Sequence, residues 1–188
     1  SLLSYSDPDY TVNSVNDPFL LISSLQTIKN ILVKAEQVDF AIEHGIQKAI
    51  QGLVVFVLSN TRQNKKAVNA VLYELAQLAL VFPQSEEMVN SAFAILNQLI
   101  ESKEQVPNFK FVAMNLIQAA EGGNDRFLSL LGTHCELILD VLREEDLSLK
   151  ALALKVLPLI STAENVDKLF QAMKDVLQTE MRRLRPNH

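Results

Sequence analysis

The sequence predicts an all-α protein in which pairs of helices stack into an α-solenoid. Its composition favours helices: 48% of residues are apolar, there is no Trp, and only five Gly and six Pro leave few turns for a β architecture. A small residue in the first helix of each predicted pair recurs at spacings of 46, 43 and 40 residues: Ser24, Ala70, Ala113 and Ala153. This is the period of HEAT and armadillo repeats, whose helices bury their faces by stacking. We therefore expect about eight helices in four antiparallel pairs.

The first pair of helices follows a polar lead-in. Residues 1–16 are rich in Ser, Asp and Asn without periodicity, so we expect them to be extended. Asp17 and Pro18 open the first helix, because Pro at the first helical position removes no internal hydrogen bond. The second helix should cover residues 38–58, with Ile42 on its inward face.

The second pair is separated from the first by the polar break 60–65. The third helix should end before Pro83. Ser85 is a suitable N-cap for the fourth helix, and Glu86 and Glu87 suit the positive end of its dipole.

The third pair begins at Pro107, which opens the fifth helix, and Gly122 and Gly123 end that helix. We predict the sixth as one continuous helix over residues 125–143. Cys135, which lies within it, should be packed in the core.

The fourth pair contains the most apolar helix of the chain. Asp146 is a plausible N-cap, and Pro158 should kink or end the last turn. Two apolar stripes run along this helix: Leu149, Ala153, Val156 and Ile160 on one side, and Leu147, Leu154 and Leu157 on the other. A helix that is apolar nearly all round predicts an inner layer covered on more than one side.

The eighth helix, over residues 165–184, has the clearest amphipathic pattern, with Phe170 and Leu177 inward. Residues 17–184 therefore form the predicted solenoid, and residues 185–188 form a C-terminal tail.

Charge and cysteine content exclude several classes of function. The net charge of -5 gives no overall basic field for nucleic acid, so we expect no nucleic-acid partner. The single Cys excludes an intrachain disulfide framework and favours a reducing compartment. The longest uninterrupted apolar run, 53–58, is far below the ~20 residues that span a bilayer. The absence of an initiator Met predicts an excised fragment of a longer chain.

Catalytic chemistry is not indicated. His44 and His134 lie on separate predicted helices, and the sequence contains no HExxH, GxSxG, GxxxxGK or GxGxxG motif. His134, Cys135 and Glu136 cannot converge on one ion, because adjacent helical residues diverge by about 100°. We predict no catalytic residue, no cofactor, no metal site and no enzymatic activity.

One basic concentration stands near the C-terminus: Lys168, Lys174, Arg182, Arg183 and Arg185. We interpret it as a solvated face that suits the negative end of a helix dipole. A patch that binds a partner or an acidic surface is the alternative.

Several motifs occur in an order that resembles the adaptins, the large subunits of clathrin adaptor complexes, and the gamma type in particular. The matching segments are Tyr5 to Pro8, Val15 to Leu20, Asn69 to Glu74, Asn108 to Met114, Asp146 to Leu154 and Asn165 to Val176. The chain departs from the family where it keeps only Lys150 of a basic run, and at the turn 122–124.

The resemblance implies a middle part of the large-subunit trunk, acting as a non-enzymatic scaffold in intracellular protein transport. The implied partners are the beta-type large, medium and small adaptor subunits. An Arf-family GTPase and a phosphoinositide membrane would be contacted through the full-length protein. The implied location is cytoplasmic, on trans-Golgi and endosomal membranes and clathrin-coated vesicles. The alternative is another HEAT/armadillo scaffold, such as a nuclear transport receptor or a phosphatase scaffold, that binds peptide on its concave face.

Overall fold

A computed structural model describes residues 17–35, 37–59, 65–101 and 107–184. This part of the chain is all-α, and its helices stack in adjacent pairs as in an α-solenoid. The predicted fold class is therefore confirmed. The predicted lead-in and tail lie outside the described residues, and the extent of the solenoid stays a prediction. The chain divides into two compact units, 1–101 and 102–188.

Unit 1 contains four helices: α1 (Pro18–Lys34), α2 (Phe40–Ser59), α3 (Lys65–Ala79) and α4 (Glu86–Glu101). Helix α1 packs on α3, and α2 packs on both α3 and α4, so the second pair covers one side of the first. The predicted start of α1 is confirmed, because the Asp17 carboxylate accepts a hydrogen bond from the Leu20 amide at 2.9 Å. Ser85 directly precedes α4, and its hydroxyl donates to Gln47 on α2.

Helix α2 has little of its surface in the core. Ile50, Val54 and Val57 are buried, whereas Phe40 and Ile42 are 81% and 59% exposed. The inward placement predicted for Ile42 is therefore wrong, because the buried residues of α2 lie in its second half. By length and composition α2 could cross a membrane, a test that core helices of other proteins also pass.

Unit 2 contains five helices and a 3₁₀ turn: α5 (Pro107–Ala119), α6 (Asp125–Thr133), α7 (Glu136–Leu142), α8 (Leu147–Val156), the turn Leu157–Ile160, and α9 (Val166–Leu184). Helix α8 packs on α5 and α7, and α9 packs on α7. Gly122 follows α5 with a φ of +82°, a conformation that favours glycine, as predicted for the end of that helix.

The predicted sixth helix is broken into α6 and α7, so the described residues contain nine α-helices instead of about eight. The break falls at His134, whose amide bonds to the Leu131 carbonyl in a tighter 3₁₀ pattern. The local residues Gly132, Thr133 and His134 are poor helix formers, which explains the interruption. Cys135 is buried at 3% exposure, as predicted.

Helix α8 begins and ends as predicted. The Asp146 carboxylate accepts from the amides of Ser148 and Leu149, at 2.8 and 3.0 Å. The helix ends before Pro158, which lies in the 3₁₀ turn. Its last α-helical residue, Val156, is fully buried.

The coverage predicted for α8 and α9 is wrong on one side of each helix. Leu147 and Leu154 on α8 are 66% and 39% exposed, and Phe170 and Leu177 on α9 are 65% and 63% exposed. The apolar stripe of each helix is wider than the area that its neighbours in unit 2 cover. The recurring small residues also differ in burial, since Ala153 is fully buried and Ala70 is exposed.

Candidate partner-binding surface

The basic residues near the C-terminus lie along α9 and do not form one compact cluster. Lys168 lies in the first turn of α9, and Arg182 and Arg183 lie in the last. Because an α-helix rises ~1.5 Å per residue, about 21 Å along the axis separates Lys168 from Arg182. Lys174 lies between them and is exposed, and Arg185 lies outside the described residues. Partner binding by this set stays a prediction.

Two of these cations are paired within unit 2. Lys168 Nζ lies 2.6 Å from Glu136 Oε1 on α7, and Arg183 Nη1 lies 3.1 Å from Glu180 Oε1 on α9 itself. The hydrogen bond from Lys168 holds the pKa of the Glu136 carboxyl below its ordinary value, and the same bond raises the pKa of Lys168. Both ion pairs are exposed to water, where ion pairs add little stability, so their main effect is to fix the positions of the charged groups.

A groove of about 210 Å³ between α7, α8 and α9 contains charges that pair with each other. Lys150 Nζ lies 3.2 Å from Glu180 Oε1, and its side chain is only 11% exposed. Arg143, at the edge of the groove, donates to Asp140 at 2.6 Å. The one basic residue that the chain keeps at the start of α8 is therefore used in an internal contact.

A second groove, of about 360 Å³, opens between α8, the 3₁₀ turn and α9. Its lining is mostly apolar and consists of Leu154, Leu157, Pro158, Ser161, Val166, Leu169, Phe170 and Met173. Exposed apolar side chains continue from this groove along both helices. We call the combined surface the open face: Leu147, Ala151, Leu154 and Pro158 on the α8 side, and Phe170, Met173, Leu177 and Met181 on the α9 side.

The buried side chain of Asn165 fixes the position of α9 beside this groove. Its Nδ2 donates to the carbonyl oxygens of Gly132 and Ile160, at 2.9 Å each, and its Oδ1 accepts from the amide of Thr162 at 2.8 Å. All the polar groups of this contact are therefore satisfied, which a buried amide requires. The contact joins the end of α6, the 3₁₀ turn and the start of α9.

Gly132 is necessary for this approach. A Cβ atom at residue 132 would lie 2.7 Å from the Ile160 carbonyl oxygen and 3.0 Å from Thr162 Cγ2. No flexible side chain separates the two backbones, so a larger residue would have to move the 3₁₀ turn. The roles of Asn165 and Gly132 are not predicted from the sequence, because an Asn before a helix and a Gly inside one have no periodic signal.

Metal chemistry finds no support in the described ranges 17–35, 37–59, 65–101 and 107–184. No three His, Cys, Asp or Glu side chains there lie close enough to hold an ion. His44 lies on α2 with its ring stacked on Phe40, at 6.1 Å between centroids. Glu136 is committed to Lys168.

Comparison with known proteins identifies the family. The model of the adaptin N terminal region matches residues 5–184, almost the whole chain. The chain belongs to the adaptin family. Similar proteins include AP-1 complex subunit gamma-1 of Arabidopsis thaliana, which is 25% identical over 171 residues, and AP-1 complex subunit gamma of Dictyostelium discoideum, which is 21% identical over 170 residues. AP-1 complex subunit gamma-like 2 of Homo sapiens is 22% identical over 172 residues.

These alignments cover 90–91% of the adaptin chain but only 18–20% of each relative. The chain thus spans about a fifth of the length of the curated relatives it matches. No solved structure matches it significantly. The sequence-based resemblance to a gamma-type adaptin is confirmed by the family match and by these relatives.

Proposed function

We propose that the chain is a scaffold segment of a gamma-type adaptor large subunit that acts in vesicle-mediated protein transport without enzymatic activity. The observation that carries this proposal is the adaptin match over residues 5–184, together with relatives that are named as gamma subunits of AP-1 complexes. Stacked helix pairs suit such a role, because each pair adds rigid surface without requiring a catalytic centre.

The proposed partners are the beta-type large, medium and small adaptor subunits. We place the assembled protein in the cytoplasm, on trans-Golgi and endosomal membranes and on clathrin-coated vesicles. An Arf-family GTPase and phosphoinositides would be contacted by the full-length protein. The helix faces described above would hold subunits by shape and apolar contact, since Lys150, Lys168 and Arg183 are already paired with carboxylates of unit 2.

The decisive experiment is affinity purification of the full-length protein, followed by mass spectrometry. We expect the three other adaptor subunits in near-equal amounts. Recovery of nuclear cargo or of a phosphatase catalytic subunit in their place would refute the proposal and favour a different HEAT/armadillo scaffold. A peptide-binding scaffold retains cargo on its concave face, so the two hypotheses predict different sets of co-purified proteins.

The contribution of the basic residues of α9 can be tested separately. Lys174 and Arg182 are exposed and make no ion pair with the described residues, so they are the cations most available to an acidic partner or a phosphoinositide. Charge reversal of both to Glu should weaken sedimentation with phosphoinositide liposomes if the patch is functional. Reversal of the exposed Lys48 on α2 is the matched control. Equal sedimentation of both variants and the parent would show that the residues of α9 are only a solvated face.

A further inference from the structure

We propose that two polar side-chain pairs between α1 and α3 set the axial register of the first helix pair on the second. The pairs are Gln26 with Glu74 and Lys29 with Gln77. Because the repeats of a solenoid present similar apolar faces to their neighbours, polar pairs can distinguish one alignment from the next. The inference concerns unit 1 alone and does not depend on the proposed role in an adaptor complex.

The two pairs have the same spacing along the chain. Gln26 Nε2 donates to Glu74 Oε1 at 2.8 Å, and Lys29 Nζ donates to Gln77 Oε1. Each hydrogen bond joins residues 48 positions apart, so α1 and α3 run parallel and the pairs follow one line of contact. On each helix the two residues stand at i and i+3, which places them on the same side.

Glu74 connects the two pairs. Its second oxygen, Oε2, is buried, has no hydrogen-bond partner among the described residues, and lies 3.8 Å from Lys29 Nζ. The side chain of Glu74 is only 11% exposed, and that of Lys29 is 23% exposed. A mostly buried carboxylate is unfavourable without its cation and its donors, so an alignment that separates Glu74 from Gln26 and Lys29 is disfavoured.

Apolar packing alone fits more than one alignment of the two helices. Helix α1 contributes Leu21, Leu25 and Leu32, which are buried. Helix α3 carries buried apolar residues in each turn from residue 71 onward: Val71, Leu72, Leu75, Ala76, Leu78 and Ala79. Because ridges of residues three or four apart recur along a helix, a slip of one turn would exchange one apolar neighbour for another.

A slip of α1 breaks the polar pairs in either direction. A slip of three residues toward the start of α3 would place Lys29 opposite Glu74 but Gln26 opposite Val71, which cannot accept a hydrogen bond. The same slip toward the end of α3 would place Lys29 opposite the buried Leu80 and would separate it from Glu74. The observed alignment is the one of the three that satisfies both pairs.

Polar contacts of this kind can specify an alignment without adding much stability. A polar residue in the contact of a coiled coil fixes the register at a cost in stability, and replacement of a buried ion pair by apolar residues is often neutral or stabilising. We therefore expect that removal of the two acceptors on α3 leaves unit 1 folded but allows a second alignment.

The test compares the alignment of α1 and α3 with and without the two acceptors. Spin labels at Lys34→Cys and Ala70→Cys occupy exposed positions, and the only native Cys, Cys135, is buried. In the observed register about 18 Å along the helix axes separates the two labels. Double electron–electron resonance should give one distance peak for the parent chain. Glu74→Leu combined with Gln77→Leu should add a second peak shifted by about 4–6 Å, the rise of three or four residues.

The matched control is Gln26→Glu combined with Glu74→Gln, which exchanges the two polar groups and keeps a hydrogen bond between them. We expect a single peak at the parent distance. A single peak for the Leu variant would overturn the proposal, whether or not its urea midpoint changes. A second peak for the control would refute it as well, because any change at these positions would then disturb α1. Loss of the helical circular dichroism signal in the Leu variant would show that the pairs are needed for folding, which also contradicts the proposal.

Discussion

Replacement of Asn165 by Ala tests the account of unit 2 most directly. The substitution removes the hydrogen bonds to the Gly132 and Ile160 carbonyls and the bond from the Thr162 amide, with distances of 2.8–2.9 Å. A hydrogen bond contributes about 0.5–1.5 kcal/mol net, so the loss of three should cost about 2–4 kcal/mol of unfolding free energy. In a chain of this length, each kcal/mol corresponds to about 2–4 °C in Tm.

The measurement is urea unfolding followed by circular dichroism, together with hydrogen exchange of the backbone amides near residue 165. We expect a lower urea midpoint, and faster exchange at the start of α9 and in the 3₁₀ turn than in unit 1. Asn165→Asp is a second variant: it keeps the accepting oxygen and places a carboxylate against two carbonyl oxygens, so it should be at least as destabilising at neutral pH.

The control is Gln171→Ala, which removes an exposed side-chain hydrogen bond to Asp175 on α9. Exposed substitutions of this kind usually change stability by less than about 0.5 kcal/mol. If Asn165→Ala unfolds within the same margin as the control, the amide does not hold α6, the 3₁₀ turn and α9 together. The description of this junction would then be wrong.

Three other predictions follow from single contacts. Gly132→Ala should lower the free energy of unfolding in urea by about 1–3 kcal/mol, because the new Cβ would meet a backbone carbonyl at 2.7 Å. A Cβ added at Gly45 has no neighbouring atom within 4 Å, so Gly45→Ala should stabilise α2 by about 0.5–1 kcal/mol. Ala153→Phe should cost about 1–3 kcal/mol and lower Tm, because the fully buried Ala153 leaves no room for a ring. Lys168→Gln should raise the pKa of the Glu136 carboxyl toward its ordinary value, as measured by NMR titration.

Each of these predictions has a clear contrary result. Equal midpoints for the Gly132 and Gly45 variants would show that the backbone approach is not tight. An unchanged Tm for Ala153→Phe would contradict the packing of α8. The Glu136 carboxyl pKa is lowered in the folded state, so its contribution to stability is present above its unfolded pKa and is lost as pH falls through the folded pKa. If Lys168→Gln leaves that titration unchanged, the ion pair is not the cause.

The starts and ends of helices could be predicted because they depend on a few neighbouring residues. The carboxylates of Asp17 and Asp146 cap α1 and α8, and Pro158 falls just beyond the last turn of α8. These effects operate over three or four residues, so they can be predicted from the local sequence. The fold class followed from the period and the composition.

The coverage of each helix could not be predicted in the same way. Periodicity gives the width of an apolar stripe, but it does not identify the neighbour that covers it. Periodicity therefore places Phe170 and Leu177 inward, yet both are exposed, whereas the neighbouring Leu169 is buried. The role of Asn165 depends on a carbonyl 33 residues away, at Gly132, so no local pattern could reveal it.

The pair between Lys150 and Glu180 sets a condition for any anion that approaches the start of α8. The Glu180 carboxylate belongs to the same chain, so it does not diffuse away when an anion displaces it from Lys150. For a flexible link, such a group competes with an effective concentration on the millimolar scale. A lipid phosphate at micromolar concentration would have to exchange with this resident counter-ion, and the exchange would leave the carboxylate without its cation. Lys150 is thus already paired with a carboxylate of its own chain.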